Sequence, residues 1–306
     1  MGLGAAVVLT AAIIAIFGYY QTQIRPKGET VLKVGERSFS LRYMEQRLRY
    51  DIRNGSSALY TADPTRAADR LVDEVEREEL MRQGAPEKGV DLSDQAVDAE
   101  IRKQKNVPAN ADQNTFAAAY REAVRSSGLS TKAYRDVIAA GLAQTAVTAM
   151  FDEQAPKTAD QVRFRVIMVG TEDEAKAALD RLRNGEDFAV VAQQVSQHAA
   201  SRDKGGEQDW IPRGVLEPAL DDALFSLDIG QISDVITGQN ALFIVQVEER
   251  QANRETTPDQ QSLLANTAMQ EWLSQLRDKL GATVTLDNDK RGDILSVLQS
   301  ETSGGQ

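Results

Sequence analysis

The sequence predicts an α+β protein made of an N-terminal apolar helix, a helical domain, and a small mixed domain followed by a returning helix. Three observations support this. An uncharged run covers residues 3–20, helical periodicity dominates residues 41–154, and β-branched, alternating segments begin near residue 158. The predicted parts are a transmembrane anchor (1–22), the helical domain (23–157), the mixed domain (158–250), and a C-terminal helix packing on the helical domain plus a flexible tail (251–306).

Composition restricts the possible functions. The chain has 306 residues and a formal net charge of −11, so it lacks the basic surface that nucleic acids require. It contains no cysteine, which excludes disulfides, thiolate zinc sites and cysteine nucleophiles. The single histidine, His198, is not accompanied by carboxylates at a metal-binding spacing. We therefore expect no metal, no cofactor and no nucleic-acid partner.

The first element is a candidate membrane span. Residues 3–20 read LGAAVVLTAAIIAIFGYY, eighteen positions without a charge, which as a helix extend about 27 Å against a hydrocarbon core of about 30 Å. A cleaved signal peptide is the alternative, but no clear A-x-A site precedes Gln21, so we favour an uncleaved anchor in the lipid bilayer. Taken alone, Arg25 and Lys27 favour a cytoplasmic location for the C-terminal side of the span, although long domains translocate largely regardless of such charges.

A helical domain comes after the anchor. Residues 31–39 resemble a short hairpin with Gly35 in its turn, and Ser40 can cap the next helix. Apolar stripes at helical spacing then predict five helices, which begin near residues 41, 65, 93, 116 and 131, the last one running to Gln154. The acidic run at residues 74–79 is interpreted as a solvated helix face.

The mixed domain has the predicted order β-α-α-β-α-β-β. A polar linker at residues 155–160 precedes the strand VRFRVIMV, and Thr171 with Glu174 forms a capping box for the helix behind it. A second helix, a Gly205-Gly206 loop, a short strand, a third helix and two alternating segments complete the order.

The C-terminal segment begins with a second capping pattern. Thr257, Pro258 and Gln260 predict the start of a helix with one strong apolar face, ending at Gly281. Such a face needs a partner, and the helical domain is the expected one. Residues after Leu298 are predicted to be disordered.

Several ordered motifs in residues 162–248 make this segment resemble the parvulin family of peptidyl-prolyl cis-trans isomerases. They are the opening strand VRFRVIMV, the G-x-D-F-x-x-x-A helix at residues 185–192, Ser196, the Gly-Gly loop, the block at residues 223–233 and the closing strand ALFIVQV. With the anchor, the helical run and the returning helix, the chain resembles SurA/PrsA-type extracytoplasmic foldases. The resemblance implies a single-pass cell-membrane protein whose bulk is extracytoplasmic and whose partners are unfolded, exported polypeptides.

The family's catalytic positions are changed in this chain. Isomerisation rotates an amide over a barrier of roughly 18–20 kcal/mol without breaking a bond. In parvulins a polar network with two histidines and a cysteine or aspartate lies beneath an apolar pocket. Here the two histidine positions fall on Val166 and Phe243, and the third falls on or near His198. We predict weak or lost catalysis and name no catalytic residue, with His198 either a residual polar group or an exposed loop residue.

The resemblance also implies a substrate-binding surface. The apolar pocket positions of the family fall on Leu216 and Leu220. Its threonine and serine before the last strand fall near Gly238 and Asn240, and its Gly-Asp-Leu-Gly loop reads Gly-Glu-Gln-Asp at residues 206–209. The predicted substrate-binding residues are Leu216, Leu220, Asn240 and Gln208.

Three functions remain open from the sequence. The first is a chaperone with a degenerate isomerase domain, acting on exported polypeptides. The second is an active prolyl isomerase with a rebuilt site. The third is a non-enzymatic membrane assembly factor with one dedicated partner.

Overall fold

The structure is a computed structural model that describes residues 28–303. These residues form two compact units. The first unit consists of the described parts of Met1–Val147 and Trp272–Gln306, and the second unit is Thr148–Glu271. The predicted anchor at residues 3–20 lies outside the described residues. Between residues 28 and 303, no helix is both long and apolar enough to cross a membrane.

The first unit begins with a hairpin and a series of helices. Ser40 caps the first helix, its hydroxyl accepting the Tyr43 N–H at 3.3 Å. The predicted core positions Leu41, Met44 and Leu48 are fully buried. The elements are β1 (Thr30–Val34), β2 (Arg37–Ser40), α1 (Leu41–Asp51), α2 (Ser57–Thr61), α3 (Ala67–Gly84), α4 (Asp94–Gln104), α5 (Gln113–Ser127) and α6 (Thr131–Gln154).

The acidic run on α3 is not the solvated face that the sequence suggested. Glu76 and Glu79 are buried, and Glu79 accepts hydrogen bonds from Arg37 at 3.0 Å and from Arg82 at 2.6 Å. The reason is that each has a basic partner, Arg37 and Arg82 for Glu79 and Arg277 at 2.9 Å for Glu76, so burial leaves the charge paired.

The second unit is a four-stranded antiparallel sheet with helices on both faces, in the strand order β4-β3-β6-β5. The Thr171 capping box is present with both of its hydrogen bonds. The elements are β3 (Thr158–Val169), α7 (Glu172–Arg183), α8 (Phe188–Val195), α9 (Ala199–Arg202), β4 (Glu207–Pro212), α10 (Pro218–Ser226), β5 (Ile236–Thr237) and β6 (Leu242–Glu255).

Two details of the predicted order are wrong. The short helix α9 adds an element, because the carbonyl of His198 accepts the N–H groups of Ser201 and Arg202 and closes one turn. The polar linker is also shorter than predicted. Its last three residues start β3 and pair with the end of β6, Thr158 opposite Glu255, because ladder hydrogen bonds do not require apolar side chains.

The chain ends with α11 (Pro258–Leu280), β7 (Thr283–Val284) and α12 (Asn288–Ser303). From Trp272 onward α11 belongs to the first unit. There the Leu276 side chain packs against Gly84 on α3, so closely that a Cβ on Gly84 would lie 2.4 Å from it. The disorder predicted after Leu298 is wrong up to Ser303. Helix α12 buries Ile294, Val297 and Leu298 and packs on α1 and α3.

Candidate functional site

The two faces of the second unit's sheet carry different apolar clusters. Successive strand residues point to opposite faces, so β3 and β6 contribute to both. One face, here called the closed cluster, is covered by α7 and α8. It consists of Ile167, Val169, Ala175, Ala178, Leu179, Leu182, Phe188, Val191, Ala192 and Ile244.

The opposite face, here called the open cluster, is covered by α10 and keeps several side chains half-exposed. Its buried members are Val162, Phe164, Val166, Leu220, Leu224, Val245 and Val247. Its half-buried members are Ile211, Leu216, Phe225, Leu227, Ile236 and Phe243. This cluster contains four of the residues selected from the sequence, which are Val166, Leu216, Leu220 and Phe243.

Val166 and Phe243 belong to the same face of adjacent strands. Val166 is opposite Val245 and Met168 is opposite Phe243, so the two side chains are diagonal neighbours in the ladder. Val166 is 4% exposed, whereas Phe243 is half-buried. Neither side chain has a hydrogen-bonding atom, so these two positions cannot contribute to a polar network.

Leu216 and Leu220, at the start of α10, pack against the same face of β3 and β6. Leu220 lies in the first turns of α10 and is 6% exposed, while Leu216 precedes the helix and is half-buried. Both contribute to the open cluster. Together with the Phe243 ring they form an apolar surface that is partly accessible to a ligand.

The two polar residues selected from the sequence occupy different places. Gln208 on β4 is paired with Phe164 and therefore faces the same side of the sheet as the open cluster. Asn240 is exposed in the turn that precedes β6, where the Gly238 N–H donates to the Ala241 carbonyl at 2.9 Å. Gln208 thus lies on the same face as the open cluster, and Asn240 lies at the margin of that face.

His198 is connected to β3 through hydrogen bonds of its loop, and the Ser196 hydroxyl accepts the N–H groups of both His198 and Met168 at 3.2 Å. It is half-buried ahead of α9, and its Nδ1 lies 2.7 Å from the Ser201 hydroxyl oxygen. The Gly206 N–H donates to the Ser201 carbonyl at 2.8 Å, and the Val166 N–H donates to the Gly206 carbonyl at 2.9 Å. His198 is therefore held by its own loop and is not a member of the open cluster.

The Gly205-Gly206 motif has a steric explanation. Gly206 has φ +82°, and a Cβ there would lie 2.5 Å from the Val166 carbonyl oxygen. Gly205 has φ +68°, and its Cβ would lie 2.4 Å from the Cβ of Ala189. Only glycine permits this close approach of the loop to α8 and β3 in that backbone conformation.

Acidic residues at the start of α10 complete the site, and the sequence analysis did not select them. Asp221 is buried, accepts the Gly214 N–H at 2.8 Å, and lies 3.8 Å from the Arg213 guanidinium. Burial raises the pKa of its carboxyl group above the ordinary value of 3.8. Glu217 is half-buried and accepts the Gln239 N–H at 2.9 Å. Their position beside Leu216 and Leu220 was the only available signal.

A second surface lies in the first unit. A groove of about 860 Å³ runs beside the β1–β2 hairpin. Its apolar lining comes from Phe39, Tyr43, Ala133 and Leu280, and Arg37, Arg82, Lys132 and Asp136 supply charges. Among residues 28–303, no group of three or more His, Asp or Glu side chains is placed to hold a metal ion.

Comparison with protein families defines the class. The family model of the SurA-like N-terminal domain matches residues 2–148, and that of the PPIC-type PPIase domain matches residues 152–251. The chain therefore combines a SurA-like N-terminal domain with a PPIC-type PPIase domain.

Individual relatives are similar to parts of the chain. It is 28% identical over 180 residues to the foldase protein PrsA of Caldanaerobacter subterraneus, an alignment covering 59% of this chain and 56% of that protein. It is 33% identical over 119 residues to the chaperone SurA of Methylococcus capsulatus, covering 35% and 25% respectively. These alignments span about half, or less, of those relatives. A solved parvulin domain of PpiD from E. coli is 34% identical, covers 32% of this chain and 93% of its own, and has a TM-score of 0.28.

Proposed function

We propose that this protein is an extracytoplasmic folding factor that binds unfolded, exported polypeptides and has lost most of its prolyl isomerase activity. We also propose that residues 3–20 anchor it in the cell membrane as a single span. The chaperone role is suggested by the relatives, which are a foldase and a chaperone. The loss of activity rests on one observation, the apolar side chains at Val166 and Phe243 on the open cluster.

Catalysis of X-Pro rotation depends on groups that favour the twisted amide over the planar one. Positioned hydrogen-bond partners usually supply a large part of such stabilisation. Val166 is buried and Phe243 presents only a ring, so neither can interact with the nitrogen or carbonyl of a bound amide. Gln208, the polar residue selected from the sequence on this face, is on a different strand, and Arg250 on β6 already donates to the Leu224 carbonyl.

Binding has different requirements, and the open cluster still meets them. Half-buried Leu216, Ile236 and Phe243 offer apolar and aromatic contact area to an extended segment without a change in the sheet. An unfolded chain exposes similar side chains, and burying them against this surface stabilises the complex at about 25 cal/mol per Å². Retained binding with lost catalysis is therefore physically consistent.

The test combines two assays on the full chain. In a protease-coupled assay with a prolyl peptide, we expect the rate to stay close to the uncatalysed rate. In a light-scattering assay, we expect the protein to suppress aggregation of a chemically denatured client. A Phe243→Ala variant should suppress aggregation less well, and Asp222→Asn, which changes an exposed residue of the same helix as Leu220, should behave like the wild type.

One observation favours the alternative of an active isomerase. His198 and the Ser201 hydroxyl form a polar pair whose loop is hydrogen-bonded to β3 through Gly206. If the protein accelerates isomerisation and His198→Ala abolishes the acceleration, the site has been rebuilt around this pair. Failure to suppress aggregation of any generic client would instead support an assembly factor with one dedicated partner.

A further inference from the structure

The carboxylate of Glu217 connects two parts of the candidate site. Glu217 comes directly after Leu216 and occupies the N-cap position of α10. Its Oε2 accepts the main-chain N–H of Gln239 at 2.9 Å, which attaches the start of α10 to the turn before β6. This turn carries the chain into Phe243 on the next strand. The carboxylate is therefore held at the margin of the open cluster and not free to sample the solvent.

The Phe243 ring and this carboxylate both pack against Gly238. A Cβ built on Gly238 would lie 2.5 Å from Cε2 of Phe243 and 2.7 Å from Oε1 of Glu217. Gly238 has no side chain, so the Phe243 ring and the Glu217 carboxylate can both pack closely against its main chain. An apolar contact surface and a fixed negative charge are thus immediate neighbours, with Leu216 adjacent in sequence to the charge.

The charge of Glu217 is not neutralised by a basic side chain within residues 28–303. Its one hydrogen bond is to a main-chain N–H through Oε2, and it takes part in none of the ion pairs of the described chain. Asp221, one turn further along α10, differs in having the Arg213 guanidinium at 3.8 Å. Oε1 of Glu217 is consequently the carboxylate oxygen on this surface that can accept a cation from a ligand.

We propose that Glu217 makes the open cluster select extended polypeptide segments in which a lysine or arginine neighbours a proline or another apolar residue. This rests on the proposed function, because it assumes that the open cluster binds chains. The apolar residue contacts Phe243 and Leu216, and the neighbouring cation pairs with Oε1 of Glu217. The aliphatic stem of lysine or arginine lies along apolar surface while its charged end reaches the carboxylate. An acidic residue at the same place is repelled.

The experiment compares three fluorescently labelled peptides that share one Phe-containing X-Pro sequence and differ only in X, which is Lys, Leu or Glu. Their affinities for the full chain are measured by fluorescence anisotropy at low and high salt. We expect the Lys peptide to bind about fivefold more tightly than the Glu peptide at low salt, a size typical of partly exposed ion pairs, and we expect the difference to shrink at high salt.

Two variants identify the responsible charge. Glu217→Gln keeps an oxygen that can accept the Gln239 N–H, so the turn is retained while the preference for Lys falls to near one. Glu217→Lys should reverse the preference towards the Glu peptide. Asp222→Asn removes one exposed negative charge from the same helix and should leave the preference unchanged. Thermal unfolding of each variant verifies that the fold is intact.

The outcomes separate this inference from the proposed function. Equal affinity of the wild type for all three peptides, or an unchanged preference in folded Glu217→Gln, overturns the role of Glu217 and leaves the chaperone proposal standing. Absence of binding by every peptide overturns the inference as well. A failure to suppress client aggregation, or an acceleration of prolyl isomerisation, each measured separately, contradicts the proposed function itself.

Discussion

The closed and open clusters share two strands but differ in how they are covered. Ile167 and Ile244 point into the closed cluster, where α7 and α8 exclude solvent and both residues are fully buried. Val166 and Phe243, their neighbours in sequence, point into the open cluster, where α10 leaves Phe243 half-exposed. One face therefore holds the sheet together, and the other keeps apolar surface available for a ligand.

The proposed function requires that a catalytic network was lost without loss of the fold, and this difference between the two faces accounts for it. The two positions that the family resemblance assigns to histidines, Val166 and Phe243, lie on the open face among apolar neighbours. Substituting polar groups by apolar ones of suitable shape is often neutral for stability, because no buried donor or acceptor is left unpaired. The closed cluster is unaffected by such changes, since its residues alternate with those of the open face.

The largest expected effect is on stability, from truncation in the closed cluster. Ile244→Ala should lower the free energy of unfolding of the second unit by about 2–5 kcal/mol, because the fully buried side chain leaves a cavity. Ile244→Val should cost only about 0.5–1.5 kcal/mol. Urea titration followed by circular dichroism measures both. Equal, small losses for the two variants would mean that this face does not carry the stability of the sheet.

The next effect tests the close approach of the Gly-Gly loop to β3. Gly206→Ala introduces a Cβ that would lie 2.5 Å from the Val166 carbonyl oxygen, at φ +82°. We expect a loss of about 1–3 kcal/mol, the usual cost of such backbone strain. Gly214→Ala, which also has positive φ but meets no atom within 4 Å, should cost less. A reversed order in thermal denaturation would contradict the steric explanation.

A smaller stability effect with a larger binding effect is expected in the open cluster. Phe243 is half-exposed, so Phe243→Ala should cost about 1–2 kcal/mol, below the roughly 3–5 kcal/mol of a buried phenylalanine. The same change should clearly weaken peptide binding in anisotropy measurements. Ile244→Ala, tested where it remains folded, should leave peptide affinity nearly unchanged. If binding follows stability in both variants, the two faces are not functionally distinct.

The smallest effect concerns pH at the margin of the open cluster. Burial raises the pKa of the Asp221 carboxyl group in the folded protein above its ordinary value of 3.8. The folded state then binds the proton more tightly than the unfolded chain, so stability falls as the pH rises through this window. Asp221→Asn, which still accepts the Gly214 N–H, removes this slope.

The check is to measure unfolding of wild type and Asp221→Asn at a series of pH values from about 4 to 7. As the pH rises, the wild type should lose stability relative to Asp221→Asn, by less than about 1 kcal/mol in the free energy of unfolding. A shift in the opposite direction would show that Arg213, at 3.8 Å, stabilises the carboxylate more than burial destabilises it.

The sequence predicted those parts of the fold that depend on local signals. The bounds of α6 and the capping boxes at Thr171 and Thr257 are confirmed, because each depends on residues within a few positions of one another. The apolar stripe of α1 is confirmed for the same reason.

Features that depend on distant parts of the chain were missed. Strand β7 pairs with β1 across some 250 residues, at Leu32 and Val284. Helix α12 has few apolar residues and is held by tertiary contacts such as Arg291 with Asp69 at 2.8 Å. Glu217 gains its place in the site only because the turn at residues 238–241 folds back onto α10. No local pattern carries this information.

The central claim is that the open cluster binds a prolyl segment without twisting its amide. The most direct measurement is exchange NMR of an isotope-labelled X-Pro peptide with a small amount of the full-length protein. We predict shift changes that report binding, with cis and trans signals still exchanging only over tens of seconds or longer, as in free peptide. Exchange cross-peaks between the cis and trans signals on a subsecond timescale would contradict the claim.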